Sequence, residues 1–189
     1  MQCHLKSMPE KKIYYPREEM KYMFTYLNHF KEQWQIESDG TRKFLAALTQ
    51  ESLAQKVADD HRTLGRIVWH IVITIGEMGA KVGIAVDGPD EGTPVPQTIE
   101  EIRHKYDRAA HSLLYEIVKN WKDVNLEEED DMYGTQWKRG LTLLVLIKHE
   151  IHHRAQAMVL ARQAGIKIPG LYGPSKEEWV NYGASPPEI

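Results

Sequence analysis

The chain has 189 residues, of which 42% are hydrophobic and 27% charged, with 24 Lys+Arg against 27 Asp+Glu for a net charge of -3. That length and balance suit one domain with its own apolar core and speak against a dedicated nucleic-acid binder, which would show a basic surplus. The longest nearly apolar stretches, residues 67–75 and 141–147, fall far short of the roughly 18 residues that a membrane helix needs.

In chain order, residues 1–15 read as a loose arm without the apolar centre of a signal peptide. The arm holds Cys3, the single cysteine, which excludes an internal disulfide and a Cys-based zinc site and points to a reducing cytoplasm. Pro16 suits the first turn of a helix. From Arg17 to about Leu48, Met20, Met23, Phe24, Leu27, Phe30, Trp34, Phe44, Leu45 and Leu48 recur at helical spacing, with Ser38-Asp39-Gly40 as an expected kink or break. Thr63 can cap a second helix running to about Ile84. The Gly- and Pro-dense segment Asp87–Gln97 is a loop.

Thr98-Ile99-Glu100-Glu101 spells a capping box ahead of a third helix, which runs to about Trp121 with Ile102, Tyr106, Ala109, Leu113 and Ile117 on one face. An acidic connection, Lys122–Trp137, is expected to be irregular, with Glu127–Asp131 solvated. The fourth helix spans about Gly140 to Ala164 and stops at Gly165, a C′ glycine. The tail from Ile166 reads as an irregular wrap in which Tyr172 packs. Four amphipathic helices without alternating strand segments predict an all-α helical bundle as a single domain over residues 1–189, with a core of about 17–165.

Nine of the residues are histidines, and three of them carry the chemistry. In the fourth helix His149 and His153 are one turn apart and about 40° apart in projection, so both can reach one ion. Two imidazoles in adjacent turns of an apolar helix are hard to satisfy without a metal. His70, in the apolar run Ile67–Ile73 of the second helix, can supply a third ligand if the two helices are neighbours. Three neutral ligands leave the full divalent charge on the ion and a coordination position open, as in a catalytic site. Zinc and nickel are the leading candidates among the metals that imidazole suits.

Around this set, Glu150 is the candidate general base, although at 100° from His149 a solvated or ion-paired role competes. Glu77 and His152 are candidates to orient an imidazole. Gln156 is a candidate to bond substrate or cap a core polar position, and Arg154 points away. The same residues spell His149-Glu150-Ile151-His152-His153, the His-Glu-x-x-His pattern of zinc peptidases. The downstream ligand expected of that class has no counterpart on a following helix.

Helix-four residues KHEIHHRAQAMVLARQAGIKIP resemble the last core helix of the DinB/YfiT-like superfamily, with His-x3-His followed by Arg and, one residue on, Gln. HRTLGRIVWHI resembles the family's helix-two segment, and the likeness covers roughly residues 20–170. Ala155 stands where the pattern usually has Gly. The resemblance implies an antiparallel four-helix bundle in an up-down-down-up arrangement, often a homodimer, with a divalent metal on His70, His149 and His153. It further implies a thiol-dependent transferase or a hydrolase acting on a small molecule, with a low-molecular-weight thiol as co-substrate. A non-catalytic, metal-stabilised dimeric binding or stress-response protein is the alternative, and the zinc peptidase a lesser one.

Overall fold

The computed structural model describes residues 23–188, so the arm, Cys3, Pro16 and the expected helix start at Arg17 lie outside the described residues. Four long helices, α1 (Leu27–Ala47), α2 (Leu64–Lys81), α3 (Ile99–Asn120) and α4 (Arg139–Gln163), make the core. α2 packs against α3 and α4, and α1 closes the other side against the same two. Their apolar stripes meet in one cluster that includes Phe30, Trp34, Phe44, Trp69, Tyr106, Leu113 and Leu160. Trp34 keeps its indole satisfied there by donating to the Ala110 carbonyl at 3.0 Å.

The first helix starts later than periodicity suggests. Residues 23–26 are not helical. Phe24 N–H is drawn to the Gly140 carbonyl at 3.2 Å, and Leu27 N–H is capped by the Asp123 carboxylate at 2.8 Å. A cap supplied 96 residues away has no local signature. Ser38-Asp39-Gly40 does not break α1. Arg42 bonds both Ser38 Oγ and Asp39, and a Cβ on Gly40 would sit 3.1 Å from the Arg154 guanidinium, so the glycine makes room for that side chain.

α2 begins as expected, with Thr63 Oγ1 accepting from Arg66 N–H at 3.1 Å. It ends at Lys81 rather than Ile84, because Gly83 turns left-handed at φ 75° and Ile84 N–H closes back on the Gly79 carbonyl at 2.9 Å. Thr98 accepts from Glu101 N–H at 3.2 Å, the Thr half of the expected capping box. α4 ends one residue short of the expected position, before Gly165 at φ 80°.

The connection Lys122–Trp137 departs most from expectation, and the chain is not purely helical. A 3-10 turn, Asp123–Glu127, leads into an antiparallel hairpin of β1 (Glu129–Met132) and β2 (Thr135–Lys138), paired from Glu129–Lys138 to Met132–Thr135. Its turn is Tyr133-Gly134, both at positive φ (58° and 80°), the conformation that matches strand twist in a two-residue loop. The acidic run is paired rather than merely solvated: Glu127 meets Lys138 at 2.6 Å, while Glu128 and Asp130 both hold Arg139. The tail from Ile166 carries a further 3-10 segment, Lys176–Tyr182. No helix among the described residues is long and apolar enough to cross a membrane.

Candidate metal centre

α2 and α4 are neighbours, and their contact brings His70, His149 and His153 together. One nitrogen from each lies within 4.8 Å of the others, and all three rings are half-buried. The ring centroids stand 5.0, 4.6 and 4.4 Å apart in edge-to-face pairs. His153 Nε2 approaches His149 Nε2 to 3.1 Å. Two nitrogens bound tetrahedrally to one zinc at its usual bond length would be about 3.4 Å apart, so this pair has the right spacing.

The protonation pattern follows from the bonds. Gln156 Oε1 lies 2.8 Å from His153 Nδ1, and since an amide oxygen only accepts, Nδ1 carries the proton and Nε2 keeps its lone pair. Gln156 Nε2 in turn donates to His152 Nε2 at 3.0 Å. Gln156 therefore orients a ligand, and exposed His152 braces Gln156 from outside the cluster. Burial pushes the imidazoles toward the neutral form, with help from one another and from the Arg62 charge. His70 falls to about 4, His149 to about 3, and His153 shifts the same way. Three neutral, convergent imidazoles with no carboxylate bonded to them among the described residues are a donor set that fits a zinc- or nickel-like cation.

Two expectations from the sequence are corrected here. Glu150 is not at the imidazoles: it is buried at 1% exposure on another face of α4, where Oε1 accepts from Thr41 and Tyr106, each at 2.6 Å. It is neither solvated nor available as a base for chemistry at His149, and the 100° step per residue is the reason. The His-Glu-x-x-His peptidase reading loses its base with it. Glu77, expected beside an imidazole, instead accepts from the Tyr133 hydroxyl at 2.8 Å.

Arg154 does point away and is buried at 2% exposure. It donates to Glu37 at 2.5 Å, to Thr41 at 3.0 Å and to the Tyr172 hydroxyl at 2.8 Å. Tyr172 donates to Glu37 at 2.6 Å, so it is a tail anchor and not only a packing residue. The sequence reading also missed Arg62, whose position just before the Thr63 cap was the available signal. Arg62 lines an open cavity of about 570 Å³ together with Ile67, His153, Gln156 and Leu160.

The chain matches the model of the DinB family over residues 23–187. It is 40% identical over 167 residues to the uncharacterized protein YrdA of Bacillus subtilis strain 168, covering 88% of this chain and all of that one. A DinB-like protein from Bacillus cereus ATCC 10987 superposes with a TM-score of 0.77 at 35% identity, over 79% of this chain and all of that one. The DinB-like protein YjoA of Bacillus subtilis shares the fold at a TM-score of 0.61 and 16% identity, over 76% of this chain and 98% of that one. With its helical fold and the match running almost the whole described length, the chain belongs to the DinB family.

Proposed function

We propose that the chain is a divalent-metal-dependent enzyme that holds its ion on His70, His149 and His153. In this reading it transfers a low-molecular-weight thiol to an electrophilic small molecule, with hydrolysis of a small substrate as the neighbouring chemistry. The observation that carries it is the convergence of three neutral, half-buried imidazoles beside an open cavity. When bound, zinc or nickel supplies Lewis acidity, which favours the ionised form of a thiol or water at neutral pH.

The chain's own residues do the rest. Gln156 fixes the His153 tautomer so that Nε2 points at the other two rings. Ile67, Val159 and Leu160 give the cavity apolar walls that shed water from the reacting atoms. Arg62, which has no carboxylate bonded to it among the described residues, can hold the anionic end of a co-substrate at the rim. With Glu150 sequestered, the carboxylate lining this cavity is Asp60, which is bonded to His61 at 2.7 Å.

The test is metal stoichiometry followed by turnover. Chain loaded with zinc or nickel is expected to hold one ion and to couple at least one biological thiol to a haloarene electrophile. Turnover of an ester without any thiol would select hydrolysis. Metal uptake with neither activity would leave a metal-stabilised binding protein, and absence of stoichiometric uptake would remove the site assignment.

A further inference from the structure

The imidazole cluster is lined by more than one cavity. His153 faces the Arg62 cavity, whereas His70 and His149 line a second one of about 360 Å³, closed by Glu77, Met78, Tyr133 and Trp137. Its size is at the small end for ligand pockets and suits one ring with a short chain. The Tyr133 hydroxyl, carried to the site by the positive-φ turn of the hairpin, donates to Glu77 Oε1 at 2.8 Å. That bond occupies one acceptor position of the Glu77 carboxylate, which has no ion-pair partner among the described residues. The cation nearest Tyr133, Lys81, lies over the Tyr133 ring, 4.5 Å from its centre, and does not line the cavity. Thr74 cannot donate into the cavity, because its hydroxyl already bonds the His70 carbonyl at 2.8 Å.

We propose that this hairpin-side cavity is a second ligand site, and that Glu77 selects a small apolar molecule bearing a protonated amine. The walls supply Met78, Val145 and two aromatic faces for the apolar body. The remaining acceptor positions of Glu77 supply the one charged contact. The two cavities then differ in charge among the described residues: Glu77 is the one carboxylate lining this cavity, whereas Arg62 shares the other with Asp60. Where the amine compound is the electrophile, this deepens the transferase reading and rests on it; the binding claim does not.

The test compares phenethylamine with its near-isosteres 2-phenylethanol and phenylacetate by calorimetry, on metal-stripped and on zinc-loaded chain. Phenethylamine is expected to bind at least about tenfold more tightly than either, in keeping with a charge-assisted hydrogen bond. Glu77→Gln should erase that preference. Tyr133→Phe, which removes the hydroxyl and keeps the charge, should retain it. Equal binding of the three probes, no binding of any, or an unchanged preference in Glu77→Gln would overturn the proposal. Loss of preference in Tyr133→Phe to the same extent as in Glu77→Gln would assign it to hairpin packing and also overturn it. The metal-stripped arm keeps this result separate from the metal-enzyme reading, which fails on ion stoichiometry instead.

Discussion

Two polar faces of one helix, α4, are built on opposite terms. Toward α2 stand His149 and His153, half-exposed, their Nε2 atoms 3.1 Å apart and His153 bonded to Gln156, beside a cavity. Toward α1 and α3 stand Glu150 and Arg154, fully buried and bonded to Thr41, Tyr106, Glu37 and Tyr172. The buried face meets most of its hydrogen-bonding needs from within the chain, with Glu150 Oε2 the one oxygen of that carboxylate left without a partner among the described residues, and so serves architecture. The imidazole face brings one nitrogen from each of three rings together around a point that the described residues do not fill. Chemistry is thus read from ligand atoms that converge beside a cavity rather than from polarity as such.

The largest effect that would break this contrast is on metal uptake. His149→Ala removes one of three ligands and is expected to abolish stoichiometric binding of zinc, read by elemental analysis after dialysis, with the helical signal intact. If uptake persists at one ion per chain, the imidazole face is not the metal centre. Next comes Arg154→Ala, which leaves Glu37 buried with its partner gone and is expected to cost about 3–5 kcal/mol in urea unfolding. The fraction that remains folded should still take up one ion; loss of uptake would mean that the two faces do not divide as argued.

Gln156→Ala sharpens the comparison from the other side. It removes the acceptor that fixes the His153 tautomer, a support of the kind whose loss weakens metal affinity about 10–100-fold. Exposed Gln156 should contribute little to stability, within about 0.5 kcal/mol. A competition titration against a chromogenic chelator reads the first quantity and thermal unfolding the second. Large destabilisation with unchanged affinity would place Gln156 on the architectural side.

How much of this the residues announce on their own differs along the chain. α2, α3 and α4 were legible because Thr63, Thr98 and Gly165 are local stop and start signals that act within one turn. The start of α1 was not, since its cap is Asp123, and neither was the hairpin, whose turn puts Tyr133 rather than Asn or Gly at positive φ. The three histidines were legible from spacing and apolar context. The roles of Glu150, Tyr172 and Glu77 were not, because each depends on a partner brought from afar: Thr41 is 109 positions from Glu150, Glu37 is 135 from Tyr172, and Tyr133 is 56 from Glu77. A helical wheel shows that a side chain leaves the ligand face; it does not show what waits for it there.

The smallest effect compares the faces most directly, through the pH dependence of stability in metal-free chain. Burial lowers His70 to about 4 and His149 to about 3, so between about 6.5 and those values the unfolded chain binds protons that the folded chain refuses. Their contribution makes stability fall as the solution is acidified through that window. Glu150 is shifted the other way: burial raises it above 4.5, against the pull of its bonds to Thr41 and Tyr106 and of the Arg154 charge. Its contribution is present below 4.5 and is lost as pH rises through the folded value. His149→Ala should therefore flatten the rise of stability with pH, whereas Glu150→Gln should steepen it. Urea midpoints measured from pH 4 to 7 read both slopes. Slopes that change in the same sense in the two variants would show that the faces of α4 are not opposed, because only opposite protonation preferences can move the two curves apart.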